Sequence, residues 1–182
     1  FRATREYDKT YKDSPFRLNV KLKSGNGKLT YTSSDTEVAS VSSKGRVAIK
    51  GPGIAILTVK AQKTSKYNAA SGKVTVKVSP GQPRLRTVRA QSGQKVKVSW
   101  TRDKYVSGYE IQYSTDEEFK DGSDTKIMTV KRNRAASATI KQGLAEGEKY
   151  YVRMRSYQNA KARKKMQKLY SAWSETRTVV CK

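Results

Sequence analysis

The sequence predicts an all-β fold of two small sandwiches in tandem, and three observations carry that prediction. Val and Thr recur in short alternating runs, and Tyr supplies 11 of the aromatic side chains. Breaks containing Gly, Ser, Asn or Asp come roughly every ten residues, the spacing at which sandwich strands turn. Only 160–169 hints at a helical period, and that stretch is too charged to bury a face. At 182 residues the chain suits one medium domain or two small ones, and the composition favours two. The division falls in "VSPGQPRL", Val78 to Leu85, where two of the four prolines and a glycine separate one alternating run from a fresh start. Proline cannot donate to a ladder and pushes its neighbour toward extended geometry. The expected domains are residues 1–79 and 84–182, joined by a short, stiff linker at 80–83.

In the first half, "PFRLNVKL" alternates Phe16, Leu18, Val20 and Leu22 as one strand. "LTYTSSD" follows the turn "SGNG". "VASVSSKGRVAIKGPGIAILTVKA" then reads as three short strands separated by "SSKG" and "KGPG". In the last of these alternation offers two inward sets, Ala55, Leu57, Val59 and Ala61 or Ile54, Ile56 and Thr58; the first is expected, because it ends flush with a small residue and leaves Lys60 outside. Tyr67 is expected to plug an end of the sandwich. The glycine turns are not phosphate loops, because none is followed by a helix whose N-terminus could receive the phosphate.

These residues resemble the bacterial Ig-like group 2 domain. The shared pattern is Tyr31, Ser33, Ser34, Asp35, Val38, Ala39 and Val41, then Gly45, Val47, Gly53, Ala55, Leu57 and Val59. The resemblance covers most of residues 7–79; Pro52 and Ile54 beside Gly53 depart from it and affect only the turn.

The second half reads "QKVKVSW", "GYEIQYS", "TKIMTV", "SATIKQGLAEGEKYYVRMRSY" and "YSAWSETRTVV", strands with turn signals between them. Trp100 follows Val96 and Val98 at period two and faces the same way. Burying an indole there removes on the order of 200 Å² from water, worth several kcal/mol at about 25 cal/mol per Å². With Tyr109, Ile111 and the "L-x-x-G-x-x-Y-x-V-x-M" run of Leu144, Gly147, Tyr150, Val152 and Met154, this half resembles a fibronectin type III domain over residues 84–180. The resemblance implies a seven-strand sandwich with Trp100, Tyr109, Leu144 and Tyr150 in its structural core, Tyr150 being a tyrosine corner tied to backbone near Leu144. Together the two halves become two tandem immunoglobulin-like β-sandwich domains.

If Tyr150, Val152 and Met154 face inward, Tyr151, Arg153 and Arg155 face outward. Trp173 is expected on the neighbouring last strand, where Arg153 and Arg155 would stack on its indole as a surface cation–π group. The segment also resembles a degenerate "WSxWS" motif with Tyr170 in place of the first Trp. The alternative is a flat glycan platform formed by Trp173 with Tyr151 and Tyr157.

Composition removes much chemistry. There is no His and a single Cys, Cys181, so serine triads of the usual kind, Cys-His dyads and His-containing zinc sites are excluded, as is an intramolecular disulfide. Cys181 reads as a strand or tail residue. "TDEEFKDGSD" gathers Asp116, Glu117, Glu118, Asp121 and Asp124, but not in the order of a calcium loop, and is read as a solvated hairpin tip. No catalytic, cofactor-binding or metal-binding residue is assigned, no cofactor is expected, and an autonomous enzyme is not expected.

The formal net charge is +24. It is spread evenly: residues 1–80 hold 16 basic and 5 acidic groups, net +11, and residues 81–182 hold 23 and 10, net +13. One concentration, "NAKARKKMQKLYS", supplies Lys161, Arg163, Lys164, Lys165 and Lys168 as a candidate polyanion-binding loop. No Arg-Gly-Asp tripeptide supports integrin-type recognition. No run of about 18 apolar residues suggests membrane insertion, and the chain starts in mid-pattern at Phe1, so signal and anchor are expected outside it.

The expected function is a non-catalytic spacer or adhesion segment of a secreted or cell-surface bacterial protein, as in surface proteins of Gram-positive bacteria. The alternatives are a binding module for an acidic glycan or cell-wall polymer, and an accessory domain of a polysaccharide or cell-wall hydrolase. Expected partners are an anionic cell-wall polymer or a host glycan or protein, with nucleic acid bound only nonspecifically and the chain monomeric.

Overall fold

The computed structural model describes residues 2, 3, 5–120, 124–162 and 165–182, and every regular element among them is a strand. The chain divides into two compact units, residues 1–80 with 159–169, and residues 81–158 with 170–182. The segment 159–169, which the sequence assigns to the second domain, thus groups with the first unit.

The first unit contains β1 (Arg2–Ala3), β2 (Glu6–Thr10), β3 (Phe16–Arg17), β4 (Val20–Lys21), β5 (Leu29–Ser33), β6 (Ala39–Val41), β7 (Arg46–Ile49), β8 (Gly53–Ala61) and β9 (Ala70–Ser79). One sheet runs β2, β9, β8, β5, a second β3, β7, β6, and β1 pairs with β4. β2 lies parallel to β9, whereas the other pairs are antiparallel. Ala55, Leu57, Val59 and Ala61 are all buried, and the first three meet Val74, Val76 and Val78 from β9 in a core with Leu18, Val38 and Val47. "SSD" after β5 is a hydrogen-bonded corner. Asp35 Oδ1 accepts from Glu37 N at 3.0 Å, Ser33 Oγ donates to Ala39 O at 2.6 Å, and Ser34 Oγ accepts from Ile56 N at 2.8 Å.

Two expectations for this unit change. The run Phe16 to Leu22 is not one strand: Phe16 pairs with Val47, while Val20 pairs with Ala3 in a different sheet. The ladder breaks at Leu18 and Asn19, whose N–H groups donate instead to Gly45 O and to the Tyr7 hydroxyl. Tyr67 does not plug the sandwich and is 48% exposed. A tight turn, with Thr64 and Tyr67 bonded to each other, holds it past the end of β8. Its ring covers Gly25, where φ is +83° and a Cβ would come within 2.8 Å of the ring.

The second unit is built on β10 (Leu85–Gln91), β11 (Lys95–Trp100), β12 (Gly108–Ser114), β13 (Lys126–Val130), β14 (Ser137–Ile140), the greater part of β15 (Lys149–Ala162) and β17 (Arg177–Val180), while the end of β15 and all of β16 (Lys165–Tyr170) but Tyr170 fall in the segment grouped with the first unit. One sheet runs β10, β11, β14; the other runs β13, β12, β15, β16, with β17 also paired to β15. Trp100 is 2% exposed and lies 5.1 Å from Tyr109, ring centre to ring centre. Leu144 and Tyr150 share that core, and the Tyr150 hydroxyl accepts from Ala145 N at 3.0 Å. Cys181 is no tail residue: it is buried in the same core, its N–H donating to Glu148 O. Pro80 to Arg84 form no strand. Gly81 O accepts from Ser156 Oγ, and Gln82 Nε2 donates to Trp173 O, so this end of the linker is fastened to the second unit.

Candidate functional site

β12 is buried on both faces. Tyr109, Ile111 and Tyr113 enter the core, so Glu110 and Gln112 lie on the opposite face. The antiparallel register then sets Glu110 opposite Arg155 and Gln112 opposite Arg153. Arg155 donates from Nε and Nη2 to Glu110 Oε2, at 2.9 and 2.7 Å, and Arg153 Nε donates to Gln112 Oε1 at 2.7 Å. These bonds fix the planes of both guanidinium groups.

Aromatic rings alternate with those planes. Arg153 Cζ lies 4.0 Å from the Phe119 ring centre and 4.8 Å from that of Trp173. Arg155 Cζ lies 4.4 Å from Trp173 and 3.8 Å from Tyr170. Residues two apart on a strand are separated by about 6.6–6.8 Å, which is the room one ring needs with a cation stacked on each side. The order is Phe119, Arg153, Trp173, Arg155, Tyr170. Each contact contributes on the order of 0.5–2 kcal/mol.

The position of Trp173 departs from expectation, since it lies in the irregular segment 171–176 and not on β17. Two serines hold this segment against β15. Ser171 N donates to Ser156 O while its Oγ accepts from Ser156 N, both at 3.0 Å. Ser174 N likewise donates to Met154 O at 2.7 Å, and its Oγ accepts from Met154 N at 3.0 Å. Hydroxyls thus replace the carbonyls that a paired strand would offer. Three residues advance here opposite two on β15, and the surplus residue places the indole between the arginines.

Phe119 is delivered by the acidic turn. Asp116 Oδ1 accepts from Glu118 N and Oδ2 from Lys120 N, each at 3.1 Å. These two bonds, in that order, hold the Asp116 carboxyl below the ordinary range. The turn leaves Phe119 at φ +55° and only 5% exposed. The solvated tip expected here therefore has a buried anchor; Asp121 lies outside the described residues.

The remaining site residues lie as follows. Tyr151 is outside the stack and carries Lys149 Nζ 4.8 Å from its ring centre. Tyr157 cannot join a surface platform: it is 3% exposed, packed against Tyr170 and so close to β12 that a Cβ at Gly108 would meet its hydroxyl at 2.7 Å. Lys161 lies near the end of β15, and Lys165 and Lys168 lie on β16, all exposed, so the basic segment is largely a strand pair where a loop was expected. Arg163 and Lys164 lie outside the described residues.

Burial, and then the charge of Arg155, push the Arg153 guanidinium downward from its ordinary range. It stays a cation at neutral pH. Glu110 is ion-paired with Arg155, so the arrangement braces a sheet face. Glu110, Gln112 and Phe119 were not singled out from sequence, although strict alternation around Ile111 assigns the first two to the arginine face.

Residues 81–170 match the family model described as the fibronectin type III domain. Residues 18–63 match that of the intimin, immunoglobulin-like domain. Comparison with curated proteins gives no match. Among solved structures, the two fibronectin type-III domain segment from chicken tenascin is similar at a TM-score of 0.56 and 14% identity, covering 91% of this chain and 90% of that one. At that identity the likeness shows the fold alone. The chicken CNTN1 FN1–FN3 domains align over 98% of this chain and 68% of theirs, at 17% identity and a TM-score of 0.46.

Proposed function

The chain joins an intimin-type immunoglobulin-like domain to a fibronectin type III domain, and on that premise we propose that it is a non-catalytic spacer and adhesion segment of a secreted or cell-surface bacterial protein. The observation that carries this reading is that each half closes its own apolar core, the two sharing no residue. Chemistry with other molecules then falls to the outer faces. Intimin-type domains point to a surface protein, which supports the location. The test is accessibility. An antibody raised against the chain should label intact cells of the producing bacterium, and protease added outside should remove the label. Labelling only after lysis would overturn the location, and turnover of a polysaccharide by the purified chain would overturn the non-catalytic assignment.

A second reading, an adhesion surface for an acidic glycan or cell-wall polymer, is supported by the exposed Lys161, Lys165 and Lys168 on one hairpin. Retention on such a polymer should then fall when these lysines are neutralised and persist when as many lysines are neutralised within residues 5–80.

A further inference from the structure

Where the turns 101–107 and 131–136 of the second unit approach each other, they enclose an open depression of about 600 Å³. Lys104, Lys131, Arg132 and Arg134 line it, all four exposed, and no carboxylate is among the described residues of its lining. The walls are fixed from beneath. The buried Tyr109 hydroxyl accepts from Asp103 N at 2.7 Å, Asp103 Oδ1 accepts from Tyr105 N at 2.9 Å, and Asn133 Nδ2 bridges the two turns by donating to Lys104 O at 3.3 Å. Lys104 Nζ rests 4.9 Å from the centre of the Tyr105 ring, which holds the ammonium beside the opening. Ser107 Oγ donates to Gln158 Oε1 at 3.0 Å and ties the first turn to β15.

Four cations gathered by two pinned turns repel one another, and an anion that enters between them relieves that repulsion. Arginine presents a planar fork suited to paired ester oxygens, and lysine adds point charge. The volume lies within the range of small-ligand sites, about 300–1,000 Å³, enough for a few sugar rings. A nucleic-acid groove would instead track a backbone with successive aromatic platforms, whereas the lining here holds one tyrosine.

We propose that this depression binds an anionic oligosaccharide, with its sulfate or phosphate esters held by Arg132, Arg134, Lys104 and Lys131. The proposal rests on the second reading above and moves its centre from the 161–168 hairpin to the 101–107 and 131–136 turns.

Binding of the full chain to two probes, a heparin-derived octasaccharide and a phosphorylated oligosaccharide of matched length, would be measured by titration calorimetry at about 150 mM salt. Three double variants each remove two positive charges: Arg132→Gln with Arg134→Gln, Lys95→Gln with Lys97→Gln on another part of the same unit, and Lys165→Gln with Lys168→Gln. Unchanged cooperative melting establishes that each is folded. The expected result is a loss of about tenfold or more for the first variant and about twofold or less for the other two. The tighter probe identifies the ester. A loss confined to the hairpin variant would leave the second reading standing and sink this placement. Equal losses in all three variants, equal affinity for a single-stranded oligonucleotide of matched charge, or no binding of either probe would each overturn the proposal.

Discussion

Arg155 turns two nitrogens onto a single oxygen of Glu110, with Nε at 2.9 Å and Nη2 at 2.7 Å from Oε2. The carboxylate side chain is 6% exposed and the guanidinium 23%, so the pair is only partly screened. Glu110→Gln keeps the shape and removes the charge. It should destabilise the second unit by about 1–3 kcal/mol in urea unfolding. A double-mutant cycle with Arg155→Met should return a coupling above about 1 kcal/mol. Simple additivity would mean that packing, not charge, holds the two strands in register here.

Trp173→Ala should cost about 2–4 kcal/mol, because it removes an apolar ring and both of its cation contacts. Trp173→Phe should recover part of that loss. If the alanine variant unfolds within about 0.5 kcal/mol of the parent, the indole is no brace. Quenching of the parent's indole by a neutral oligosaccharide would then favour the sugar platform.

Tyr150→Phe deletes the acceptor for Ala145 N without opening a cavity. The expected loss is about 1–2 kcal/mol, or about 4–16 °C in the melting temperature of a domain this size. An unchanged melt would assign the corner to ring packing alone.

Asp116 supplies a pH test. A carboxyl whose pKa is depressed in the folded state adds stability above its unfolded pKa and loses it as pH falls through the lower folded value. The second unit should therefore lose stability from about pH 4 downward, with part of that decline belonging to the bonds from Glu118 N and Lys120 N. Asp116→Asn should flatten that part and leave the profile above about pH 5 parallel to the parent's. Acid limbs of equal slope would show that the turn does not distinguish the ionised carboxyl.

Period-two alternation narrowed β8 to two possible inward sets, between which the small Ala61 and the charged Lys60 decided, and it turned Arg153 and Arg155 outward. The same pattern names a face without naming what lies across it. Glu110 and Gln112 acquire their partners only from the pairing of β12 with β15, which is set by contacts about 40 residues apart in sequence. Phe119 was hidden for another reason: an aromatic among carboxylates reads as a solvated tip until the Asp116 turn carries it back against the sheet. The local polarity of Ser171 and Ser174 suggests a loop, yet their hydroxyls imitate a strand edge. Tyr157 was misplaced because alternation fails where both faces of a sheet are covered: Ser156 and Tyr157 are adjacent and both buried.

β2 and β9 run in the same direction, Glu6 facing Thr75 and Thr10 facing Ser79, with Lys77 and Glu6 ion-paired across them. Tension applied at the start of β2 and the end of β9 drags these strands lengthwise past each other, so their hydrogen bonds bear the load together and cannot open one after another like a zipper. Under such loading the parallel pair resists extension as a single ladder.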